Sequence, residues 1–180
     1  DKNYIQIAEN ATASNDSWTV KVKKGYLALR STAAYNDSNE IGRLNTGEAE
    51  LLVRELKNYM ERIGIRRILE EHIDFGVISP YRAQVHYLRH LLKKEPFFRP
   101  CCRLITVHTV DGFQGQERDV IMISLVRANE KGQIGFLRDL RRMNVAITRA
   151  RMKLLILGEA VTLTRHPFYR ELYEYIGGLR

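Results

Sequence analysis

The stretch Thr106-Val-His-Thr-Val-Asp-Gly-Phe-Gln-Gly-Gln-Glu-Arg-Asp-Val120 decides the interpretation of the chain, together with Arg141-Arg-Met-Asn-Val-Ala-Ile-Thr-Arg-Ala-Arg151. The first run joins two apolar segments through a loop that contains Gly112 and Gly115. Glycines at such a place let backbone N–H groups approach a phosphate, although glycine turns are also common. The second run has helical spacing and is rich in arginine. We interpret the two runs as walls of one ligand cleft.

Outward from these runs, short apolar segments alternate with helical patterns. This alternation favours right-handed crossovers and a parallel sheet. The predicted fold class is α/β, a three-layer domain with a mainly parallel sheet flanked by helices. Ligands of such sheets gather beyond the carboxyl ends of the strands, where residues 79–82 and 108–109 are expected. The predicted strands cover residues 25–30, 73–78, 103–107, 119–126 and 153–158.

Helix boundaries are predicted from capping residues. Asn45 is a predicted N-cap, and Glu48, three residues on, is expected to reciprocate with a bond to the cap. Ser79 is predicted to cap the helix after the second of these strands, with the proline that follows it at the first helical position. A helix over residues 139–150 carries the arginine-rich run, and Pro167 begins a last amphipathic helix.

The first 25 residues allow two interpretations. The short strand patterns 4–8 and 18–23 can form a hairpin, or the segment can be a leader that precedes the domain. Both alternatives stay open. Because Asp1 is not a natural start, we expect the chain to be part of a longer protein. The predicted domain therefore covers residues 26–180.

Composition limits the classes of function. The 180 residues suffice for one domain with a continuous core. The net charge of +8 favours a polyanionic partner such as nucleic acid, but a merely soluble basic protein fits about equally well. No apolar run approaches the roughly 20 residues of a membrane helix, so no membrane partner is expected. Adjacent Cys101 and Cys102 suit neither a disulfide scaffold nor a zinc site, which favours a reducing, intracellular compartment, cytoplasmic or nuclear (nucleoid).

Two sets of polar residues are candidates for binding chemistry. Glu117 suits an acceptor for ribose hydroxyls, and the alternative is a surface salt bridge to Arg118. Arg142 and Arg149 lie seven residues apart, so a continuous helix aligns them on one edge with small Ala146 between them. Two guanidiniums in that arrangement can clamp a phosphate. A solvated basic stripe is the alternative.

Metal and phosphate motifs are sparse. His86 and His90 lie four residues apart, a spacing that can bind a metal, but no third ligand is near in sequence and we prefer a solvent-facing interpretation. The sequence contains no Gly-x-x-x-x-Gly-Lys-Ser/Thr loop and no paired acidic motif that would hold magnesium after a strand. The basic residues therefore form half of a phosphate site, and no metal site is assigned.

With these residues in place, the chain resembles the second RecA-like domain of superfamily 1B helicases, the branch of the nonsense-mediated-decay helicase and the replication helicase–nucleases. Val77-Ile-Ser-Pro-Tyr-Arg-Ala-Gln84 resembles motif IV, residues 109–129 resemble motif V, and residues 135–151 resemble motif VI. Asn45-Thr-Gly-Glu-Ala49 resembles a shorter block that precedes motif IV. The resemblance runs from about residue 25 to the end, with long blocks in the family's order.

The resemblance implies an ATP site shared between two RecA-like domains. The first domain carries the Walker motifs and holds Mg2+, and the second supplies arginine fingers and part of the path of single-stranded DNA or RNA. Arg82 and Arg149 are then expected to reach the γ-phosphate as catalytic arginines. Tyr81 is expected to stack on adenine. The expected ligands of the rest of the nucleotide are Gln114, Gly115 and Glu117.

The nucleic-acid backbone is expected at Thr109, with the flanking loop that includes Val107 and Val110. Arg127 and Asn129 are weaker candidates, for either an interdomain contact or the strand path. The resemblance implies that the isolated 180 residues hydrolyse no ATP, that the full-length protein is an ATP-dependent helicase, and that it moves 5′ to 3′.

Two other functions remain open. A nucleic-acid-binding or adaptor module with a RecA-like fold needs no catalysis, although the presence of Arg82, Glu117 and Arg149 argues against it. A motor fused to a nuclease is the other, but the sequence shows no nuclease-like acidic cluster. A Walker loop upstream of Asp1 would favour the motor over the adaptor.

Overall fold

The computed structural model describes residues 17–22 and 25–30 at the level of the backbone, and residues 43–178, with side chains to residue 175. Two sheets are present in these segments. A two-stranded antiparallel sheet pairs β1 (Ser17–Val22) with β2 (Gly25–Arg30). A four-stranded sheet is parallel throughout, in the order β4-β3-β5-β6. Its strands are β3 (Phe75–Ser79), β4 (Ile105–Thr109), β5 (Arg118–Ser124) and β6 (Ala150–Leu157).

Helices cover both faces of the parallel sheet, so the predicted α/β fold class with a RecA-like, three-layer arrangement is confirmed. The longest are α1 (Thr46–Ile63), α3 (Arg82–Lys94) and α6 (Pro167–Gly178). The shorter α-helices are α2 (Ile65–Glu70), α4 (Leu140–Ile147) and α5 (Ala160–Leu163), and 3-10 segments cover Pro96–Leu104, Asp111–Phe113 and Gly135–Arg138. No helix in the part of the chain that the structure describes is long and apolar enough to span a bilayer.

Alternation along the strands divides the core between two faces. We call the side covered by α1, α2, α3 and residues 96–104 the scaffold face. Val120 and Met122 of β5 belong to its cluster, with Leu56 from α1. The opposite side, which we call the motif face, receives Ile121 and Ile123 from the same strand. Its cover consists of α4–α6 and two 3-10 segments, with these buried residues: Phe113, Ile134, Leu137, Met143, Ala146, Leu163 and Tyr169.

The N-terminal hairpin differs from the predicted one. One of the two open alternatives paired segment 18–23 with residues 4–8. In the structure β1 instead pairs with β2, the segment predicted as the first strand of the parallel sheet. Residues 4–8 lie outside the described residues. A connection of two residues joins β1 to β2 and makes antiparallel pairing the short-range solution. The division of the chain at residue 25 stays a prediction.

Helix starts were predicted with mixed success. Asn45 is the N-cap of α1, since its Oδ1 accepts from the backbone N–H of Glu48 at 3.0 Å. The reciprocal bond from Glu48 is absent, because the N–H of Asn45 donates to Gln84 Oε1 at 2.9 Å. The start at Ser79 was wrong. Ser79 pairs with Thr109 in the sheet, so the chain stays extended until Tyr81, which is the N-cap of α3.

The helix predicted over residues 139–150 is shorter than expected. It ends at Ile147, because Ala150 pairs with Arg118 and already belongs to β6. Met143 and Ala146 are both buried. The helix Pro167–Gly178 begins at the predicted proline.

Candidate functional site

The predicted site residues lie at two opposite edges of the parallel sheet. Tyr81 and Arg82 follow β3, and Thr109 ends β4, so these residues lie at the carboxyl edge, as predicted for the loops 79–82 and 108–109. Glu117 and Arg149 instead precede β5 and β6 and lie at the amino edge. β5 has seven residues, which places the two edges about 20 Å apart. The structure does not bring Arg82 and Arg149 together.

At the amino edge, the guanidinium of Arg149 is held in place by oxygen atoms of its surroundings. Nε donates to the Val145 carbonyl at 3.0 Å, and Nη2 donates to Thr148 Oγ1 at 3.1 Å. Nη1 reaches the carbonyl of Gln116 at 3.5 Å, which links the end of α4 to the loop before β5. Among the described residues no carboxylate pairs with Arg149, so its full positive charge is available to an anionic ligand.

Glu117 is exposed beside this arginine. The alternative of a salt bridge to Arg118 is not observed, because Arg118 Nη1 donates to the backbone carbonyl of Glu117, at 2.7 Å. Arg118 also donates to Gln116 Oε1 at 3.0 Å and to Thr106 Oγ1 at 3.3 Å. The carboxylate of Glu117 therefore keeps its lone pairs for a ligand with hydroxyl donors.

The loop between β4 and β5 runs from one edge to the other. It makes a tight turn in which the N–H of Gln114 donates to Asp111 O at 3.2 Å and that of Gln116 to Phe113 O at 3.0 Å. Gly115 has a φ of 75°, a left-handed conformation that favours glycine. Gln114 and Gly115 are both exposed, and Phe113 is fully buried against the motif face. The predicted cleft-lining residues are thus presented on an anchored loop.

At the carboxyl edge, Thr109 is held by its neighbours. Its N–H donates to His108 Nδ1 at 2.9 Å, and its hydroxyl accepts from the N–H of Gly112 at 3.4 Å. Val107 and Val110 are buried, and the carbonyl of Val107 already accepts two bonds from Arg89, at 2.6 and 3.1 Å. The exposed surface of this segment is therefore that of His108 and Thr109.

Sequence patterns missed Phe136, which lies beside Tyr81. The two rings are tilted, with centroids 6.3 Å apart, and Phe136 is 44% exposed. The guanidinium carbon of Arg142 lies 4.1 Å from the centroid of the Phe136 ring. Arg82, in the first turn of α3, is exposed and pairs with no carboxylate among the described residues. No signal in the sequence predicts this exposure, because Phe136 lies between Gly135 and Leu137, a context typical of a core residue.

Arg142 and Arg149, the pair considered as a phosphate clamp or a solvated stripe, have different partners in the structure, and the clamp stays a prediction. Arg142 forms ion pairs with Asp111 at 3.3 Å and Asp139 at 3.6 Å, near the start of α4. Arg149 lies beyond the other end of that helix, and Ala146 between them is buried. The helix therefore separates the two guanidiniums.

Two weaker candidates, Arg127 and Asn129, have contacts within this domain. Arg127 is buried and donates twice to the carbonyl of Gln133, which also accepts from Asn129 Nδ2 at 2.6 Å. These bonds close the loop over residues 129–133. His86 and His90 are exposed on α3, in agreement with the solvent-facing interpretation. The described residues contain no group of three potential metal ligands.

Comparison with known proteins shows which family the chain belongs to. Residues 3–161 match the family described as "AAA domain". The chain is 42% identical over 132 residues to "Probable helicase MAGATAMA 3" of Arabidopsis thaliana, which covers 73% of the chain and 16% of that protein. It is 41% identical over 140 residues to "Helicase sen1" of Schizosaccharomyces pombe, which covers 76% of the chain and 8% of that protein.

A third relative is "Regulator of nonsense transcripts 1" of Dictyostelium discoideum, 37% identical over 133 residues, or 73% of the chain and 10% of that protein. The chain thus spans less than a fifth of the length of these three relatives. With its four-stranded parallel sheet and the match over residues 3–161, the chain belongs to the AAA-domain family that forms the C-terminal region of superfamily 1B helicases.

Proposed function

We propose that the chain is the second RecA-like domain of an ATP-dependent helicase or translocase, with its amino edge facing ATP and its carboxyl edge facing a single strand of nucleic acid. One observation carries the proposal. Arg149, without a carboxylate partner among the described residues, donates to the carbonyl of Val145 at 3.0 Å and reaches that of Gln116 at 3.5 Å, beside the exposed carboxylate of Glu117. A fixed cation next to an acceptor for hydroxyl groups matches the two ends of a nucleoside triphosphate, phosphate and ribose.

On this proposal Arg149 stabilises the charge that develops on the γ-phosphate during phosphoryl transfer, as an arginine finger does. Its bonds to Val145 and Gln116 hold the guanidinium in advance, which lowers the cost of orienting it. Glu117 accepts from the ribose, and the loop with Gln114 and Gly115 lines the cleft. A first RecA-like domain of the parent protein supplies the phosphate loop and holds Mg2+.

The nucleotide roles predicted for Tyr81 and Arg82 fit less well with their place. Both lie at the carboxyl edge, level with Thr109 and about 20 Å along the sheet from Arg149. The same edge carries the exposed ring of Phe136, and aromatic rings with arginines are the groups that bind single strands through base stacking and phosphate contacts. We therefore assign Tyr81 and Arg82 to the strand path with Thr109.

The choice between DNA and RNA and the direction of movement belong to the parent protein. Backbone contacts at Thr109 and stacking at Phe136 carry no base sequence preference. We propose 5′-to-3′ movement from the likeness to superfamily 1B. Unwinding of matched DNA and RNA duplexes with opposite overhangs, by the full-length protein, tests both.

The experiment on the nucleotide edge is Arg149→Ala in the full-length parent protein. We expect ATP turnover to fall about a thousandfold or more, as on removal of an arginine finger. Arg149→Lys keeps the charge but not the planar fork, and should recover only part of the rate. Arg62→Ala, an exposed arginine on the scaffold face, is the matched control and should leave turnover unchanged. Normal turnover in the Arg149→Ala protein would refute the assignment.

The 180 residues alone should hydrolyse no ATP, since they contain no phosphate loop. Phosphate release is measured on the purified chain beside its own Arg149→Ala variant. A turnover that disappears in this variant would contradict the shared site, and it would also exclude contaminating ATPases as the source.

A further inference from the structure

A buried polar cluster joins three elements at the carboxyl edge. It consists of Asn45 and Glu48 at the start of α1, Gln84 in the first turn of α3, and Ser124 and Val126 at the end of β5. Gln84 Nε2 donates to Ser124 Oγ at 3.0 Å, and Ser124 Oγ donates to Glu48 Oε1 at 2.5 Å. Side chains far apart in the sequence thus form one chain of hydrogen bonds.

The cluster holds Val126 in an uncommon conformation. Val126 has a φ of 70°, which is rare for a β-branched residue, and the N–H of Arg127 donates across it to Leu125 O at 2.7 Å. Both backbone groups of Val126 are bonded by α1. Its N–H donates to Glu48 Oε1 at 2.8 Å, and its carbonyl accepts from Asn45 Nδ2 at 3.1 Å. Such a conformation persists only where its surroundings impose it.

The same cluster fixes the first turn of α3. Gln84 Oε1 accepts from the N–H of Asn45 at 2.9 Å, and Gln84 Nε2 donates to Asn45 O at 3.0 Å. Gln84 lies two residues after Arg82, so these bonds hold the helical turn that carries Arg82. On the other side of the turn, Arg127 lies close to Gly135, as does Tyr81. The cluster therefore contacts the segments on both sides of the carboxyl edge, the start of α3 and the turn at Val126.

We propose that Glu48, through Ser124, Gln84 and the Val126 turn, is a positioning residue that sets Tyr81 and Arg82 for contact with the nucleic-acid strand. Glu48 touches no ligand itself. The inference rests on the proposed function, because it requires that the carboxyl edge binds the strand. The atom that does the positioning is Oε1, which accepts both bonds, whereas Oε2 is buried without a hydrogen-bond partner among the described residues.

The test uses the full-length parent protein and measures ATP turnover against the concentration of a single-stranded oligonucleotide, either oligo-deoxythymidine or oligo-uridine. Glu48→Ala should raise the concentration for half-maximal stimulation roughly tenfold and change the maximal rate less than threefold. Glu48→Gln keeps the Oε1 acceptor and should stay close to the unmodified protein. The control is Glu61→Ala, an exposed glutamate on the same helix.

A purely structural role is excluded by two double variants. Glu48→Ala and Arg82→Ala act on the same contact, so their effects on half-maximal stimulation should not add. Glu48→Ala and Arg149→Ala act at opposite edges, so their effects should be independent, one on half-maximal stimulation and the other on the maximal rate. If Glu48→Ala does not fold, Ser124→Ala removes one oxygen from the same chain of hydrogen bonds. It should raise the oligonucleotide concentration for half-maximal stimulation severalfold.

Failure of the two proposals is distinguishable. If Arg82→Ala and Thr109→Ala leave the oligonucleotide concentration for half-maximal stimulation unchanged, the proposal that the carboxyl edge binds the nucleic-acid strand is wrong. If those two variants raise this concentration while folded Glu48→Ala and Ser124→Ala do not, the positioning role of Glu48 is overturned. The proposal that the carboxyl edge binds the strand is then retained. Additive effects of Glu48→Ala and Arg82→Ala would also overturn it.

Discussion

The two faces of the parallel sheet are built from different material. Long amphipathic helices cover the scaffold face, where α1 alone contributes Leu52, Leu56 and Met60 to the buried cluster. The motif face is covered by α6, by the short helices α4 and α5 and by turns, and its anchors include single large side chains such as Phe113 and Tyr169. The phenol of Tyr169 donates to Leu137 O at 2.9 Å, and burial raises its pKa above the usual value.

This difference separates stability from ligand contact. The residues proposed for the nucleotide lie in loops and helix ends that pack on the motif face, and none of them belongs to α1 or α2. A short element has few intrahelical bonds, so its position depends on the anchor beneath it. Loss of an apolar anchor on the motif face should therefore disturb both folding and nucleotide binding, whereas an equal loss in the apolar core of the scaffold face, away from the Glu48 cluster, should disturb folding alone.

The largest expected effect compares Phe113→Ala with Leu56→Ala, each fully buried on its own face. Both should lower the free energy of unfolding by about 3–4 kcal/mol in urea titrations, from lost burial and the cavity left behind. Only Phe113→Ala should also weaken ATP turnover of the parent protein at temperatures where it remains folded. Equal turnover in the two variants would show that the loop does not depend on its anchor.

The next effect is the pH dependence of the free energy of unfolding that comes from Glu48, the buried carboxyl on the scaffold side. Burial raises the pKa of Glu48 to about 7, against hydrogen bonds from Ser124 and the backbone that lower it. A raised pKa means that the folded chain holds this proton more tightly than the unfolded chain does. The stabilisation is complete below the unfolded pKa and is lost as pH rises through about 7.

The corresponding measurement is the free energy of unfolding of the natural chain minus that of Glu48→Gln, between pH 5 and pH 8. This difference should fall by on the order of 2 kcal/mol as pH rises, because the amide of the variant does not titrate. Other carboxylates cancel in the subtraction. A flat difference, or one that rises with pH, would contradict the raised pKa.

A smaller effect is expected at Gly112 on the motif face. A Cβ built on Gly112 would lie 1.6 Å from His108 Nδ1, so Gly112→Ala must displace that exposed ring. The displacement breaks the 2.9 Å bond from the N–H of Thr109 and should cost about 1 kcal/mol of folding free energy. In the parent protein, Gly112→Ala should lower the affinity for the nucleic-acid strand more than His108→Ala does. His108→Ala loses the bond without introducing a clash. Unchanged affinity in both would separate this turn from the strand.

The smallest effect is expected for the surface ion pairs of α4. Arg142→Gln removes the pairs with Asp111 and Asp139 and the contact with the Phe136 ring. Because these groups are partly exposed, the cost should be about 0.5–1 kcal/mol in thermal or urea unfolding. Exposed Arg66→Gln, whose pair with Glu70 is a simple helix pair, should cost still less. The reverse order would place the ion pairs of α4 among ordinary surface contacts.

Much of the fold follows from the sequence, because its signals are local. The alternating apolar runs located β3–β6, Asn45 identified the start of α1, and Pro167 identified the start of α6. These features depend on neighbours within a few positions. Where a distant partner decides the outcome, local signals failed: sheet pairing kept Ser79 extended and ended α4 before Arg149.

The site was harder to predict for the same reason. Motif resemblance selected the residues, but their division between two edges depends on the path of the loop after β4, which periodicity does not determine. Glu48 has the spacing of a capping box, and only its contact with Ser124, 76 positions away, gives it another place. Phe136 lies between Gly135 and Leu137 in the sequence, so its exposure and its contact with Arg142 in the structure were needed to single it out.

The loop from Val110 to Glu117 leaves β4 at one edge of the sheet and enters β5 at the other. Eight residues therefore connect the proposed strand contact to the proposed nucleotide contact, with Phe113 embedded between them. A segment pinned near its middle transmits a displacement of one end by tilting about the pin. In a motor this loop would act as a lever whose fulcrum is Phe113, and the length of its two arms would set how far a shift at the nucleotide moves the strand.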